Sequence, residues 1–361
     1  MKRKKKIKKS SPDNLSSYDS DLEFLESIYQ KLLGRGVDET GKAHFLSILK
    51  EGKSRVDVVL GIIESEEFKN KIIRENIRLL PIKNEKINQY RQTYDLEKKE
   101  KIWIFQAESA GDFDWLEAKI IENGYYEKPG VWSFGINEDK KLLADIVSDF
   151  KPDSVLDIGC SNGPVMKCLK DKGIDSEGVE ISQMALEKAY PEIKDDIHFG
   201  DLLDVKLTRS FDMILGLDIF EHLNPNKLDQ YISYMHRVLN EGGWAFCNIP
   251  AFGEDVVFGE IFKAYIKEWE EDIRKNRMFQ TVHVDNYGYP VNGHIIGAGS
   301  EWWVEQFEKN GFKREVEIEK ALHAKYDKIM KRISEARLAY YIFSKNASEE
   351  QRQSLMKSIN S

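Results

Sequence analysis

The chain has 361 residues, of which 41% are hydrophobic and 32% charged, with a formal net charge of −8. This length holds two domains, and the composition fits a soluble globular protein. The acidic balance argues against broad nucleic-acid binding, and no apolar run approaches the length of a membrane span. The basic start lacks a following apolar stretch, so no signal peptide is expected. Cys160, Cys168 and Cys247 show no metal-ligand spacing and fit a reduced, cytoplasmic setting.

Residues 1–20 are expected to be a disordered basic tail, first Lys- and Arg-rich, then rich in Ser, Asn and Asp. The run Lys2–Lys9 suits weak contact with an anionic membrane surface, which would place the protein at the inner face of the membrane. No specific nucleic-acid partner is expected.

Residues 21–78 read as a helical N-terminal domain. Leu22, Leu25, Ile28, Tyr29, Leu32 and Leu33 recur at helical spacing before Gly34-Arg35-Gly36. A second helix carries Phe45, Ile48 and Leu49 and stops near Gly52. Ser54 and Asp57 form a capping-box-like start for a third, bearing Val56, Val59, Leu60 and Ile63. Ser65-Glu66-Glu67-Phe68 opens another. With Gly34-Arg35, this pattern resembles a small helical domain of unknown function. In bacteria that domain recurs beside glycosyltransferases and methyltransferases of cell-surface polysaccharide synthesis. The resemblance implies docking to a glycosyltransferase or polysaccharide-assembly partner.

Residues 79–110 read as a charged helical connector. An aromatic stretch follows: Trp103, Phe105, Phe113, Trp115, Tyr125, Tyr126, Trp132 and Phe134. Glycines between these rings fit either core packing or a lid over a ligand.

The densest signal is Val155-Leu156-Asp157-Ile158-Gly159-Cys160-Ser161-Asn162-Gly163, a buried strand followed by a glycine turn. Pro164 suits the first turn of a helix, whose free N–H groups can hold a carboxylate. Glu180 closes the next apolar strand and can accept both hydroxyls of a ribose. A dinucleotide fingerprint would need glycine where Asp157 stands. A carboxylate there repels a pyrophosphate and suits a cofactor bearing an amino group and a sulfonium.

Later segments arrive in matching order. His198-Phe199-Gly200-Asp201-Leu202 is a short strand and loop, and Phe211–Asp218 reads as a fourth buried strand followed by Phe220-Glu221-His222-Leu223. Val238–Trp244 makes a helix-to-strand turn, with Glu241 where L-x-P-G-G has proline. Together these resemble the class I S-adenosylmethionine-dependent methyltransferases over roughly residues 110–345. The resemblance implies an α/β fold: a doubly wound, seven-stranded, Rossmann-like sheet beside the small all-α domain. The domain would span 111–345, with 251–300 as a substrate cap and 346–361 as a tail. It implies S-adenosyl-L-methionine contacts at Asp157, Gly159, Cys160, Gly163, Glu180, Ile181, Asp201, Leu202, Leu217 and Asp218, with Asp201 at the adenine amino group.

Methyl transfer to a hydroxyl needs a proton removed, and histidine is the usual base. His222 follows the fourth strand with Glu221 beside it, and His283 and His294 lie in the insertion. These four residues are the catalytic candidates, with His222 first. Metal assistance through Asp218, Glu221 and an insertion histidine matches no recognised motif, and no metal is expected. The acceptor is read as a hydroxyl on a sugar or glycan. A small metabolite or quinone-like ring is the second reading, and a non-catalytic scaffold the third.

Overall fold

The structure, a computed structural model, describes residues 18, 20–68, 85–128 and 134–361. It divides into two compact units, Met1–Leu80 and Pro81–Ser361. The basic run Lys2–Lys9, Trp132 and most of the 1–20 and 69–84 segments lie outside the described residues.

In the first unit, α1 (Asp21–Leu33), α2 (Glu39–Lys50) and α3 (Arg55–Glu64) form as their capping residues dictate. Ser20 and Asp38 accept from backbone N–H groups at the starts of α1 and α2, and Ser54 with Asp57 completes a capping box on α3. Phe24, Leu25, Ile28 and Tyr29 pack against Val58 and Ile62. The third helix therefore buries a different face from the one expected: Val56 and Leu60 are about half exposed. Arg35 forms a two-pronged ion pair with Glu67 at 2.6 and 2.7 Å, so the two most recognisable sequence elements of this unit touch.

The second unit opens with strands where the sequence suggests helix. The expected helical connector over 79–110 contains a hairpin, β1 (Tyr90–Asp95) and β2 (Glu100–Gln106), in its described part. Ile102-Trp103-Ile104-Phe105 is β-branched and aromatic, and all four are buried. Asp95 accepts from the N–H groups of Glu97 and Lys98, and Lys99 takes φ +57 to close the turn. Then come α4 (Ala110–Glu122) and α5 (Glu138–Asp149).

The main sheet is built from β3 (Ser154–Ile158), β4 (Asp175–Glu180), β5 (Ile197–Phe199), β6 (Phe211–Leu217) and β7 (Leu239–Asn248). Between them lie α6 (Pro164–Asp171), α7 (Gln183–Glu187) and α8 (Leu228–Val238). Next come α9 (Lys267–Arg274), β8 (Thr281–Val284), α10 (Ser300–Glu308), β9 (Lys313–Arg314), α11 (Val316–Ile333), β10 (Tyr340–Ser344) and α12 (Glu349–Ile359). The seven strands run in the order β5-β4-β3-β6-β7-β10-β9, parallel except that β10 runs antiparallel to both its neighbours. Strand order reverses between β3 and β6, which opens a crevice at their carboxyl ends.

Three expected boundaries shift. The insertion supplies β8 to the hairpin, giving a sheet of order β1-β2-β8, so cap and preceding segment are one layer. Phe312–Ile318 reads in the sequence as one strand, but only β9 forms there, because Ile318, Leu322, Tyr326 and Met330 recur at helical spacing and bury along α11. The expected tail 346–361 holds α12, capped by Ser348 and Gln351 and docked through Leu355 and Ile359.

Candidate active site

The crevice holds a cleft of about 720 Å³. Its floor is the ends of β3, β4 and β6 with the loops that follow them. Gly159 has φ +71, and a Cβ there would stand 2.8 Å from Ile219. Gly163 has φ +74 as the N-cap of α6, and a Cβ there would stand 2.3 Å from Ile193. Both turns therefore require glycine. Gly163 shapes the turn without lining the cleft, whereas Gly159 and Cys160 line it.

Two buried carboxylates dominate the floor. Glu180 is 2% exposed and accepts from the N–H groups of Ser161 (2.8 Å) and Ser182 (2.7 Å). Burial raises its pKa, and those two donors pull it back. Asp157 is 3% exposed and has no hydrogen-bond partner for its carboxylate among the described residues. Burial raises its pKa to about 7; the Lys140 charge opposes this and the Glu180 charge adds to it.

Asp201 lines the cleft with both oxygens engaged: it accepts from the Leu203 N–H at 2.8 Å and the Tyr231 hydroxyl at 2.6 Å. Ile181, Leu202, Leu217 and Asp218 complete the expected cofactor wall. Asp218 takes φ +55 and pairs with Arg337.

Three of the four catalytic candidates come together: His222 and His294 line the cleft, and Glu221 is buried beside them. Glu221 and His222 lie on a short 3-10 turn after β6, and His294 comes from the insertion. The rings of His222 and His294 meet edge to face at 4.8 Å. Glu221 Oε1 is 3.9 Å from His294 Nε2. Burial lowers the pKa of His222 to about 4 and, helped by the neighbouring His222, that of His294 to about 3. Burial drives Glu221 far upward. Both rings are therefore neutral at pH 7, and a base that weak abstracts a hydroxyl proton poorly unaided. His283 is elsewhere: it sits on β8, 3.0 Å from the Tyr265 hydroxyl, and does not line the cleft. Its strand pairs with β2, an arrangement invisible from the sequence of the insertion alone.

Of the aromatic stretch, only Tyr125 and Tyr126 line the cleft among the described residues, while Trp103, Phe105 and Phe113 are core. Ser182 donates its hydroxyl to the Tyr126 carbonyl at 2.8 Å, tying that wall to the end of β4. Lys140, Tyr231 and Arg337 were not singled out in the sequence, yet all three line the cleft. Arg337 reaches it from the 3-10 turn before β10, bonded to Asp139 (2.8 and 3.1 Å) and to the Asn248 side-chain oxygen (2.6 Å). No local motif marks an arginine 119 residues from Asp218.

Fold and cleft define a doubly wound α/β protein with a cleft where strand order reverses. The chain belongs to the methyltransferase-domain family, whose profile matches residues 135–317, just over half its length. A domain of unknown function, DUF4214, matches residues 10–72. An uncharacterized methyltransferase of Alkaliphilus oremlandii is 28% identical over 102 residues, which are 28% of this chain and 47% of that protein. One from Staphylococcus carnosus is 29% identical over 89 residues, 24% and 43% respectively. The chain thus spans less than half the length of these curated relatives. Among solved structures, SAM-bound CalS10, an amino pentose methyltransferase from Micromonospora echinaspora, is 15% identical with a TM-score of 0.38, over 63% of this chain and 96% of that one. DesVI of Streptomyces venezuelae is 21% identical with a TM-score of 0.31, over 39% and 60%. Among the described residues no helix is long and apolar enough to cross a membrane.

Proposed function

We propose that the protein transfers a methyl group from S-adenosyl-L-methionine to a hydroxyl of a sugar or glycan acceptor in cell-surface polysaccharide synthesis. The observation that carries the cofactor reading is the pair of buried carboxylates, Asp157 without a partner and Glu180 held by two backbone donors. Such a set fits this cofactor's charges. Asp157 can pair with an ammonium group, and Glu180 keeps lone pairs for two ribose hydroxyls. Gly159 leaves room for close approach, and Tyr125 and Tyr126 supply an apolar wall. When bound, the cofactor supplies an electrophilic methyl on a sulfonium.

The chain's own groups do the rest. The cleft walls align the acceptor and exclude water, and the Glu221–His222–His294 end is where the acceptor hydroxyl gives up its proton. The acceptor class rests on the helical N-terminal domain, which resembles domains neighbouring glycosyltransferases. Residues 21–78 would then recruit a glycosyltransferase or assembly partner, and Lys2–Lys9 an anionic membrane surface. A small metabolite or quinone-like ring is the second acceptor reading, since the Glu221-His222-Leu223 segment also occurs in enzymes acting on such rings. Incubation with methyl-labelled cofactor and a panel of glycans, quinones and peptides tests the assignment. Label in a glycan hydroxyl supports it, and label only in a quinone or peptide contradicts it.

A further inference from the structure

We propose that Glu221, His222 and His294 form a binding site for a divalent transition-metal cation, with an open coordination position on the cleft side. Each residue offers one ligand atom, and the three atoms lie within 4.8 Å of one another. Ligands on one zinc-sized ion stand about 2.0–2.2 Å from it, hence roughly 3–4 Å apart. Small side-chain rotations close the difference.

Three further observations point to a ligand. First, Glu221 is 2% exposed and its Oε2 has no hydrogen-bond partner among the described residues. An unpaired buried carboxylate oxygen is costly, and a cation satisfies it. Second, His222 Nδ1 lies 3.3 Å from the Gly293 carbonyl oxygen. A carbonyl only accepts, so Nδ1 carries the hydrogen and Nε2 keeps its lone pair. Metal-bound histidines are commonly oriented in this way. Third, the two ligand-bearing segments are clamped: Ile295 and Ile296 donate their N–H groups to the Glu221 carbonyl at 2.8 and 3.0 Å. The site is therefore set by backbone bonds before any ion arrives.

The donor set selects the ion. Two imidazoles and one carboxylate suit Zn²⁺, Fe²⁺, Co²⁺ or Ni²⁺, not Mg²⁺ or Ca²⁺, which take oxygen ligands. Neutral imidazole is the ligand form. Both histidines line the cleft, so an acceptor oxygen can take the open position. A hydroxyl bound there becomes far more acidic, which removes the need for a strong protein base. This catalytic use rests on the proposed function; cation binding does not.

The test is calorimetric titration of the full-length protein, stripped with a chelator, with Zn²⁺, and with Co²⁺ while recording its visible absorption. One equivalent should bind, with Co²⁺ bands of a nitrogen- and oxygen-ligated ion. Glu221→Gln and His294→Ala should each weaken Zn²⁺ binding at least about tenfold, while His283→Ala binds as wild type. Should Glu221→Gln not fold, His294→Ala decides, since that ring is 37% exposed. Less than one equivalent in the wild type, or wild-type affinity in folded His294→Ala, overturns the site. A separate titration with S-adenosylmethionine tells the two readings apart: Zn²⁺ binding without cofactor binding would defeat the methyltransferase reading and leave the cation site standing.

Discussion

Burial raises the proton affinity of Asp157, and Glu180 adds to it across the paired ends of β4 and β3. Burial and a second carboxylate both disfavour the Asp157 charge, and a cationic ligand offsets them. Binding should therefore depend on pH. Asp157 ionises near pH 7, and a free amino group loses its charge above about 7.7–8.0. Affinity for S-adenosylmethionine should rise from about pH 6 to about 7.5. Asp157→Asn should weaken binding and flatten that rise, as measured by titration at several pH values.

The same shift has a stability sign. Folded Asp157 keeps its proton up to about pH 7, whereas an unfolded chain releases it near 3.9. The stabilisation is complete below the unfolded value and lost as pH rises through 7. The Tm of ligand-free Asp157→Asn should exceed that of wild type by more at pH 8 than at pH 5. An equal difference at both would show that Asp157 ionises normally.

Arg337 joins Asp139, Asp218 and Asn248. Arg337→Ala removes two hydrogen bonds from buried Asp139 and leaves it Lys140 at 3.1 Å as an ion partner, and should cost about 1–3 kcal/mol in denaturant unfolding. Arg337→Met with Asp139→Leu should recover much of that loss. No recovery would show that the arginine does not act through Asp139.

Turnover should separate the histidines. His222→Ala or His294→Ala should lower it at least about a hundredfold with cofactor affinity nearly intact, the lower bound for removing proton-transfer assistance. His283→Ala should keep near-normal turnover, because the ring lies outside the cleft. Loss on His283→Ala with the other two active would overturn this assignment.

The glycine turn and both carboxylates were legible in the sequence because their chemistry is local: strand, turn and helix are consecutive, and Glu180 ends the very next strand. The three helices of the first unit were legible through apolar spacing, glycine stops and, for the third, the Ser54–Asp57 capping box. What failed was long-range. The hairpin at Tyr90–Gln106 hides behind its charged residues, Arg91 and Lys98–Lys101, and its pairing with β8 brings together residues about 180 positions apart. Arg337 and Lys140 enter the cleft only because the sheet folds them there. Residues 316–318 form helix rather than strand, a choice set by the face they bury.

A chain starting at Pro81 should bind cofactor as the full chain does, since Pro81–Ser361 is a compact unit containing the whole cleft. It should lose acceptor recruitment more than methyl transfer to a small soluble acceptor. Loss of cofactor binding in a folded Pro81 chain would show that the units depend on each other.

The most direct measurement is calorimetric titration of the wild type and Glu180→Ala with S-adenosylmethionine. The wild type should bind at one site. Removing a carboxylate that bonds two hydroxyls should cost about 1.5–3 kcal/mol, roughly tenfold to a hundredfold in affinity. Because Glu180 also holds the N–H groups of Ser161 and Ser182, unfolding is followed alongside. No binding by the wild type, or equal affinity in a folded Glu180→Ala, would contradict the account.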